Sequence, residues 1–366
     1  MIPAQVHSSG RRIDMNGADL VPRPELLHLP VPVFQVLLCI MFVLHIVLMN
    51  IALGGSILNA AYRLRRREAP KASASLPTTL ALAVNLGVPP LLFLQVLFGQ
   101  FFYTSSVLMA SYWLAVVPIL IIAYYAAYLM QRKGNQAAGA VWSVVSALLL
   151  LAIAFIYVNN MSLMLRFDRW PEYFKDKAGF MLNLADPTLF PRFLHFAVGA
   201  LAVASISWSG LALFREKRGK EFDAGAKKAG LKLFWIFSSF EAVIGLAWLG
   251  TLPLPVMRLF MGGSAYATIL LVLGVLLALG MLGHAIGGKF KVSAILLAPT
   301  LVAMVLMRDV IRAAYLAPVF SVGDLEVAPQ YGSFVLFAAA LAAGVAVLAW
   351  MIRSALKSGK AEGGAK

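Results

Sequence analysis

The chain has 366 residues, of which 61% are hydrophobic and only 13% charged, and its mean hydropathy is +0.83. A soluble domain is nearer half apolar and a quarter charged, so a soluble enzyme or scaffold is excluded and a polytopic membrane protein is expected. The 31 Lys and Arg against 16 Asp and Glu give a net charge of +15. These basic residues cluster in short segments at the ends of apolar runs, which is the pattern of membrane topology and not of a nucleic-acid-binding face. The single cysteine, Cys39, excludes a disulfide framework, a Cys-x-x-Cys zinc site and an iron–sulfur ligand set within this chain. Cys-x-x-Cys-His is absent, so any haem here is held non-covalently.

Residues 1–31 are polar and proline-containing and read as an extramembrane arm. Arg11-Arg12 hints at a twin-arginine signal, but the apolar run that follows is too long for a signal-peptide core and is read as a retained helix. A helix satisfies its own backbone in lipid, so each apolar run of about 20 residues reads as one span. Nine are expected, at 32–61, 77–103, 107–130, 138–165, 189–214, 231–252, 264–288, 292–315 and 333–353. Pro89-Pro90 is expected to kink the second, and a tight turn over 101–106 to join it to the third. Every odd span exits into a basic segment: Arg63 to Arg67, Arg132-Lys133, Arg215 to Arg218, Lys289 with Lys291, and Arg353 with Lys357 and Lys360. By the positive-inside rule the N-terminus lies outside and the C-terminus inside. The fold class expected is an all-α helix bundle over 32–353, followed by a flexible cytoplasmic tail, 354–366. The longest outer loop, about 166–188, carries Arg166, Asp168, Arg169, Trp170 and Glu172; it reads as a docking surface or an ordinary solvated loop.

Few polar residues enter the apolar runs. An ionisable group at bilayer depth costs about 2.5–3.5 kcal/mol on insertion scales and persists only where the bundle interior satisfies it. His45 lies near the middle of the first span, and His195 one or two turns below the outer surface in the fifth. Asn159-Asn160 end the fourth span; Met257, Arg258 and Met261 precede the seventh; Arg308, Asp309, Arg312 and Tyr315 close the eighth. Asp309 and Arg312 share a face at i, i+3 spacing, and Arg308 and Arg312 at i, i+4. These groups all fall in the outer half. Glu241 is mid-span in the sixth, and His284 falls near the inner surface. A buried histidine in such a helix either binds haem or metal or hydrogen-bonds a neighbouring helix. Met257 and Met261 taken alone read as packing residues.

Taken together, the pattern resembles subunit I of the cytochrome bd-type quinol oxidases. In that family's first helix a haem-ligand histidine is followed nine residues later by glycine, as His45 is by Gly54. Its fifth helix opens on an aromatic-x-histidine stretch and ends in a basic loop, as Arg192-Phe193-Leu194-His195-Phe196 and Arg215 to Arg218 do. The stretch Met257-Arg258-Leu259-Phe260-Met261 is similar to the segment that supplies a methionine ligand opposite that histidine; the spacing leaves Met261 and Met257 both open. Asp309, Arg312 and Tyr315 keep the acid, arginine and aromatic of a family motif in its eighth helix, and Asn160 stands where the family has an asparagine.

The resemblance implies two b-type haems, with His45, His195 and Met261 as iron ligands. Asn160, Arg258, Arg308, Asp309 and Arg312 would be cofactor neighbours, with Asp309 and Arg312 also acting on protons or substrate. Independently of the resemblance, Glu241 or His284 is a candidate to move protons from the cytoplasm. The resemblance further implies quinol as a substrate, a second membrane subunit or a periplasmic cytochrome as partner, and the bacterial cytoplasmic membrane as location. Residues 77–131 contain no Asp or Glu where the family has glutamates for oxygen reduction, and only Gln95 and Gln100 are comparable. A third, oxygen-reducing haem therefore lacks its acids, and electron transfer from quinol to an external carrier is the expected activity. The alternatives are a haem-free quinone-binding anchor of a redox complex, built on Arg308, Asp309 and Arg312, and a proton-coupled transporter using Glu241 and His284.

Overall fold

A computed structural model describes residues 17–65, 71–131, 136–175, 177–219 and 224–363. The Arg11-Arg12 pair, the basic residues Arg66, Arg67, Arg132 and Lys133, and the last three residues of the tail lie outside the described residues. The protein is all-α. The helices are α1 (Val31–Leu64), α2 (Leu76–Leu108), α3 (Ala110–Leu129), α4 (Gln136–Leu163), α5 (Leu189–Lys217), α6 (Ala224–Thr251), α7 (Leu254–Arg258), α8 (Ala265–Ile286), α9 (Phe290–Leu316) and α10 (Tyr331–Gly363). Among the described residues, nine helices are long and apolar enough to cross a membrane, and there is no strand, only an isolated bridge between Leu27 and Val327.

α1 is the central post. It packs against α2, α4, α5 and α9, while α3 pairs with α4, α6 with α5, and α8 with both α6 and α9. The approach of α1 to α5 is set by Gly54: a Cβ there would overlap the carbonyl of Ala200. Small residues let membrane helices close to backbone contact where no hydrophobic force drives them together. α4 is pinned to α1 and to α2 by buried polar pairs. Asn59 Nδ2 on α1 donates to Ser143 Oγ on α4 at 2.9 Å, and Ser105 Oγ on α2 donates to Asn160 Oδ1 on α4 at 3.3 Å.

Several boundaries differ from the sequence expectation. The turn between the second and third spans falls at Met109, not over 101–106. The helix runs through the hydroxyl-rich stretch because Thr104 Oγ1 donates back to the Gln100 carbonyl and Ser105 Oγ to that of Phe102, which removes any need for those hydroxyls to leave the helix. Non-helical dihedrals inside α2 occur at Phe98, well past Pro89-Pro90. The approach to α8 is also structured: α7 runs into a π-turn, Leu259–Gly263, whose Gly262 has φ +104°. α10 continues to Gly363, beyond residue 353, where the apolar pattern ends. It stands outside the bundle, with every side chain from 331 to 348 exposed.

The end of the bundle at which α1 begins is closed by a folded cap. The segment 166–188 carries folded structure among its described residues, with Asp168, Phe174, Phe180 and Leu184 exposed. It forms a 3-10 helix, Phe167–Phe174, and buries Trp170, whose Nε1 donates to the Leu163 carbonyl at 3.1 Å. Arg166 and Arg169 make forked pairs to Asp168 and Glu172. The guanidinium groups of Arg166 and Arg169 hold the Asp168 and Glu172 carboxyls below the usual carboxylate range. Burial works against Asp186, but hydrogen bonds from Thr188 and Ser162, with the charge of Arg166, outweigh it and keep this carboxyl low as well. The N-terminal arm completes the cap. Leu27 is buried and exchanges backbone hydrogen bonds with Glu326 (2.9 Å) and Ala328 (2.7 Å).

Candidate functional site

His45 points from α1 toward α2. Its Nδ1 lies 2.9 Å from the carbonyl of Ala83. A carbonyl only accepts, so Nδ1 carries the proton and Nε2 is left with its lone pair. The ring lies over Gly87, where a Cβ would come within 2.8 Å of His45 Cε1. Nε2 makes no hydrogen bond among the described residues. One turn nearer the capped end, Phe42 stands with its ring centroid 6.5 Å from the imidazole.

His195 points the other way, from α5 toward α6. Its Nδ1 is 3.1 Å from Glu241 Oε1, although the ring N–H is not directed at that oxygen and Glu241 Oε2 has no partner. Its ring centroid is 5.5 Å from Trp248. Here too Nε2 makes no hydrogen bond among the described residues. Glu241 is thus brought beside His195, while His284 occupies the last turn of α8 at the opposite end of the bundle. The pairing of Glu241 with His284 that a transporter reading requires is not the one observed.

A set of arginines stands near the rings that flank the two histidines, each over an aromatic ring of another helix. Arg308 of α9 covers Phe42 of α1 at 4.5 Å, Arg312 of α9 covers Phe98 of α2 at 4.6 Å, and Arg192 of α5 covers Trp248 of α6 at 5.4 Å. Such stacking is worth about 0.5–2 kcal/mol according to how dry it is. Arg308 lies within electrostatic reach of Arg192, Arg312 and Asp309, and Arg312 is paired with Asp309. Asp309 serves Arg308 and Arg312, while Arg192 lies within electrostatic reach of Asp186. Arg312 is only 5% exposed, yet its Nη1 has no partner, and neither has Nε of Arg192. Buried charged donors left open in a membrane bundle call for an acceptor of negative charge.

Of the remaining sequence candidates, Met257 packs beside this belt. Asn160 is fully buried on α4, where it accepts from Ser105 and leaves its Nδ2 unpaired. Arg258 is exposed at the end of α7. Met261 sits in the π-turn and is 61% exposed, whereas Met257 packs in the same cluster as Trp248 and Phe260. Of the two methionines, Met257 is the one in the cluster that reaches His195 through Trp248. Sequence reasoning missed Arg192 as a member of the site and missed the facing of Glu241 on His195. The signal for Arg192 was available, since it precedes His195 by three residues and so shares its face.

Among the described residues no group of three or more His, Cys, Asp or Glu is arranged to hold a metal ion. A site built wholly from protein ligands is therefore unsupported. A macrocycle that brings its own four nitrogens needs only one or two protein ligands, which isolated imidazoles supply. No family model matches the chain, and neither a curated protein nor a solved structure matches it.

Proposed function

We propose that the protein is a b-type haem subunit of a membrane oxidoreductase, passing electrons between quinol and an external carrier or partner subunit at the capped side of the bacterial cytoplasmic membrane. The observation that carries this reading is shared by both histidines: Nδ1 of each lies within 3.1 Å of a protein oxygen, hydrogen-bonded in His45 and at ion-pair distance in His195, and Nε2 of each makes no hydrogen bond among the described residues. Ligating histidines use one ring nitrogen for iron and donate the other N–H to a carbonyl or carboxylate. His45 and His195 would hold haem in this way, and haem supplies a one-electron carrier whose potential the axial ligand sets.

The residues around the histidines fit that group. Arg192, Arg308 and Arg312 offer open guanidinium donors to two propionates, and the planar fork of arginine suits carboxylates. Asp309 orients Arg312. The six-residue span from Phe93 to Phe98 and the rest of α2 and α3 contain no acid, so oxygen reduction has no carboxylate on these helices to deliver protons. The positive, aromatic-walled belt suits a quinol headgroup near the same end. Met257 is preferred over Met261 as the second ligand to the iron on His195. A haem-free quinone anchor would use the arginines alone and leaves the two uncommitted Nε2 atoms without a role.

The test is redox spectroscopy of variants in detergent. His195→Ala is expected to remove one haem component and His45→Ala the other, each with the rest of the spectrum retained. Reduction by added quinol, run with and without oxygen, separates electron transfer from oxidase activity. Retention of both components in both variants overturns the ligand assignment.

A further inference from the structure

We infer that Glu241 is the positioning residue for His195, fixing the orientation of its imidazole and setting the electron density on Nε2; this rests on the haem reading above. α5 and α6 exchange side chains into reciprocal slots. Glu241 of α6 fills the space over Gly199 of α5, where a Cβ would come within 2.8 Å of Glu241 Oε1. His195 of α5 fills the space over Gly245 of α6, where a Cβ would come within 3.1 Å of His195 Cε1. Gly199 and Gly245 each follow the residue on their own helix, His195 and Glu241, by four positions, so each helix presents one knob and one hole to the other. The two knobs meet with Nδ1 3.1 Å from Oε1.

This arrangement is more specific than packing demands. A carboxylate at membrane depth is costly, and any apolar side chain of similar size fills the slot over Gly199 more cheaply. Glutamate places a carboxylate oxygen 3.1 Å from Nδ1, the ring nitrogen that iron on Nε2 would leave free, so that a turn of the ring brings the N–H onto it. No other charged side chain forms an ion pair with either group among the described residues. Trp248 packs against the imidazole, and Arg192 lies over the same indole ring. A negative acceptor at Nδ1–H increases the basicity of the other nitrogen. It thereby favours the oxidised state of an iron bound there.

The experiment is spectro-potentiometry of the purified full chain with haem bound, comparing wild type with Glu241→Gln, Gly199→Ala and His195→Ala. His195→Ala identifies the component that belongs to this histidine. Glu241→Gln keeps the shape and an acceptor oxygen but removes the charge. It is expected to shift the reduced-to-oxidised ratio of that component about tenfold toward reduced, which is about 59 mV for one electron. The other component stays within experimental scatter. Gly199→Ala displaces the Glu241 carboxylate without altering its charge and is expected to move the same component in the same direction. An unchanged potential in both variants, with His195→Ala still abolishing the component, overturns the role of Glu241 and leaves the haem reading standing. A wild-type protein without haem, or a His195→Ala spectrum that keeps every component, overturns the haem reading itself and this inference with it.

Discussion

At the residue scale the bundle uses its few polar groups in two ways, and their partners tell them apart. Asn59 and Ser143 answer one another across helices, and Thr104 answers its own backbone; these groups hold the fold. Arg312 and Arg192 retain donors that no protein atom accepts. Arg312→Ala removes the partner of Asp309, which is part-exposed while Arg312 is buried. The cost is expected to be roughly 1–3 kcal/mol, between the values for exposed and buried pairs, and is checked by the thermal unfolding midpoint in detergent. Asp186 makes its hydrogen bonds within the cap and at the end of α4, and lies within electrostatic reach of Arg192. Asp186→Asn is expected to cost about 1–3 kcal/mol through the hydrogen bonds it weakens, read as faster proteolysis within 166–188.

The acids of the cap also set its response to pH. Asp168, Glu172 and Asp186 all have carboxyls held below their usual range. Their contribution is fully present above the unfolded values of about 4 and is lost as pH falls through the lower folded values, because the unfolded segment then binds more protons. Hydrogen exchange of 166–188 is expected to stay constant from neutral pH to about 5, after correction for the intrinsic rate, and to rise in the acid range below about 4.

At the element scale the legible part of the sequence was the set of apolar runs, because lipid obliges each to be a self-satisfied helix. All nine expected spans overlap the nine long apolar helices observed. The errors fell where hydropathy carries no signal. A stretch with hydroxyls looked like a turn and was helix, since the hydroxyls bond their own carbonyls. The α7 segment and its π-turn are too short to show a period. Helix faces were harder still. Which residues look at each other across α5 and α6 depends on rotation about the axis, and nearly uniform apolarity conceals that rotation; hence Glu241 beside His195 was not foreseen. The α1–α5 contact offers a direct test of element packing. Gly54→Leu puts a side chain into the Ala200 backbone, and overpacking of this kind costs about 1–3 kcal/mol or more. Loss of the folded bundle, or a markedly lower unfolding midpoint, is expected, whereas Gly344→Leu on α10, where nothing stands within 4 Å, is expected to be neutral.

At the scale of the whole molecule, α1 is the member that ties the parts together, for it touches α2, α4, α5 and α9. It carries His45 against α2 and lies beside α5, which carries His195 against α6. Arg308 of α9 covers the ring beside His45, Arg192 of α5 covers the ring beside His195, and the two arginines lie within electrostatic reach of one another. The proposed electron carrier rests on that layout: two imidazoles with one nitrogen each in reserve, and arginines of which Arg192 and Arg312 keep unpartnered donors. The most direct measurement is the reduced-minus-oxidised visible spectrum of the full chain, purified in detergent after expression with haem available, together with the haem-to-protein ratio. The account predicts b-type bands at about two haems per chain. A colourless, folded protein under those conditions contradicts it.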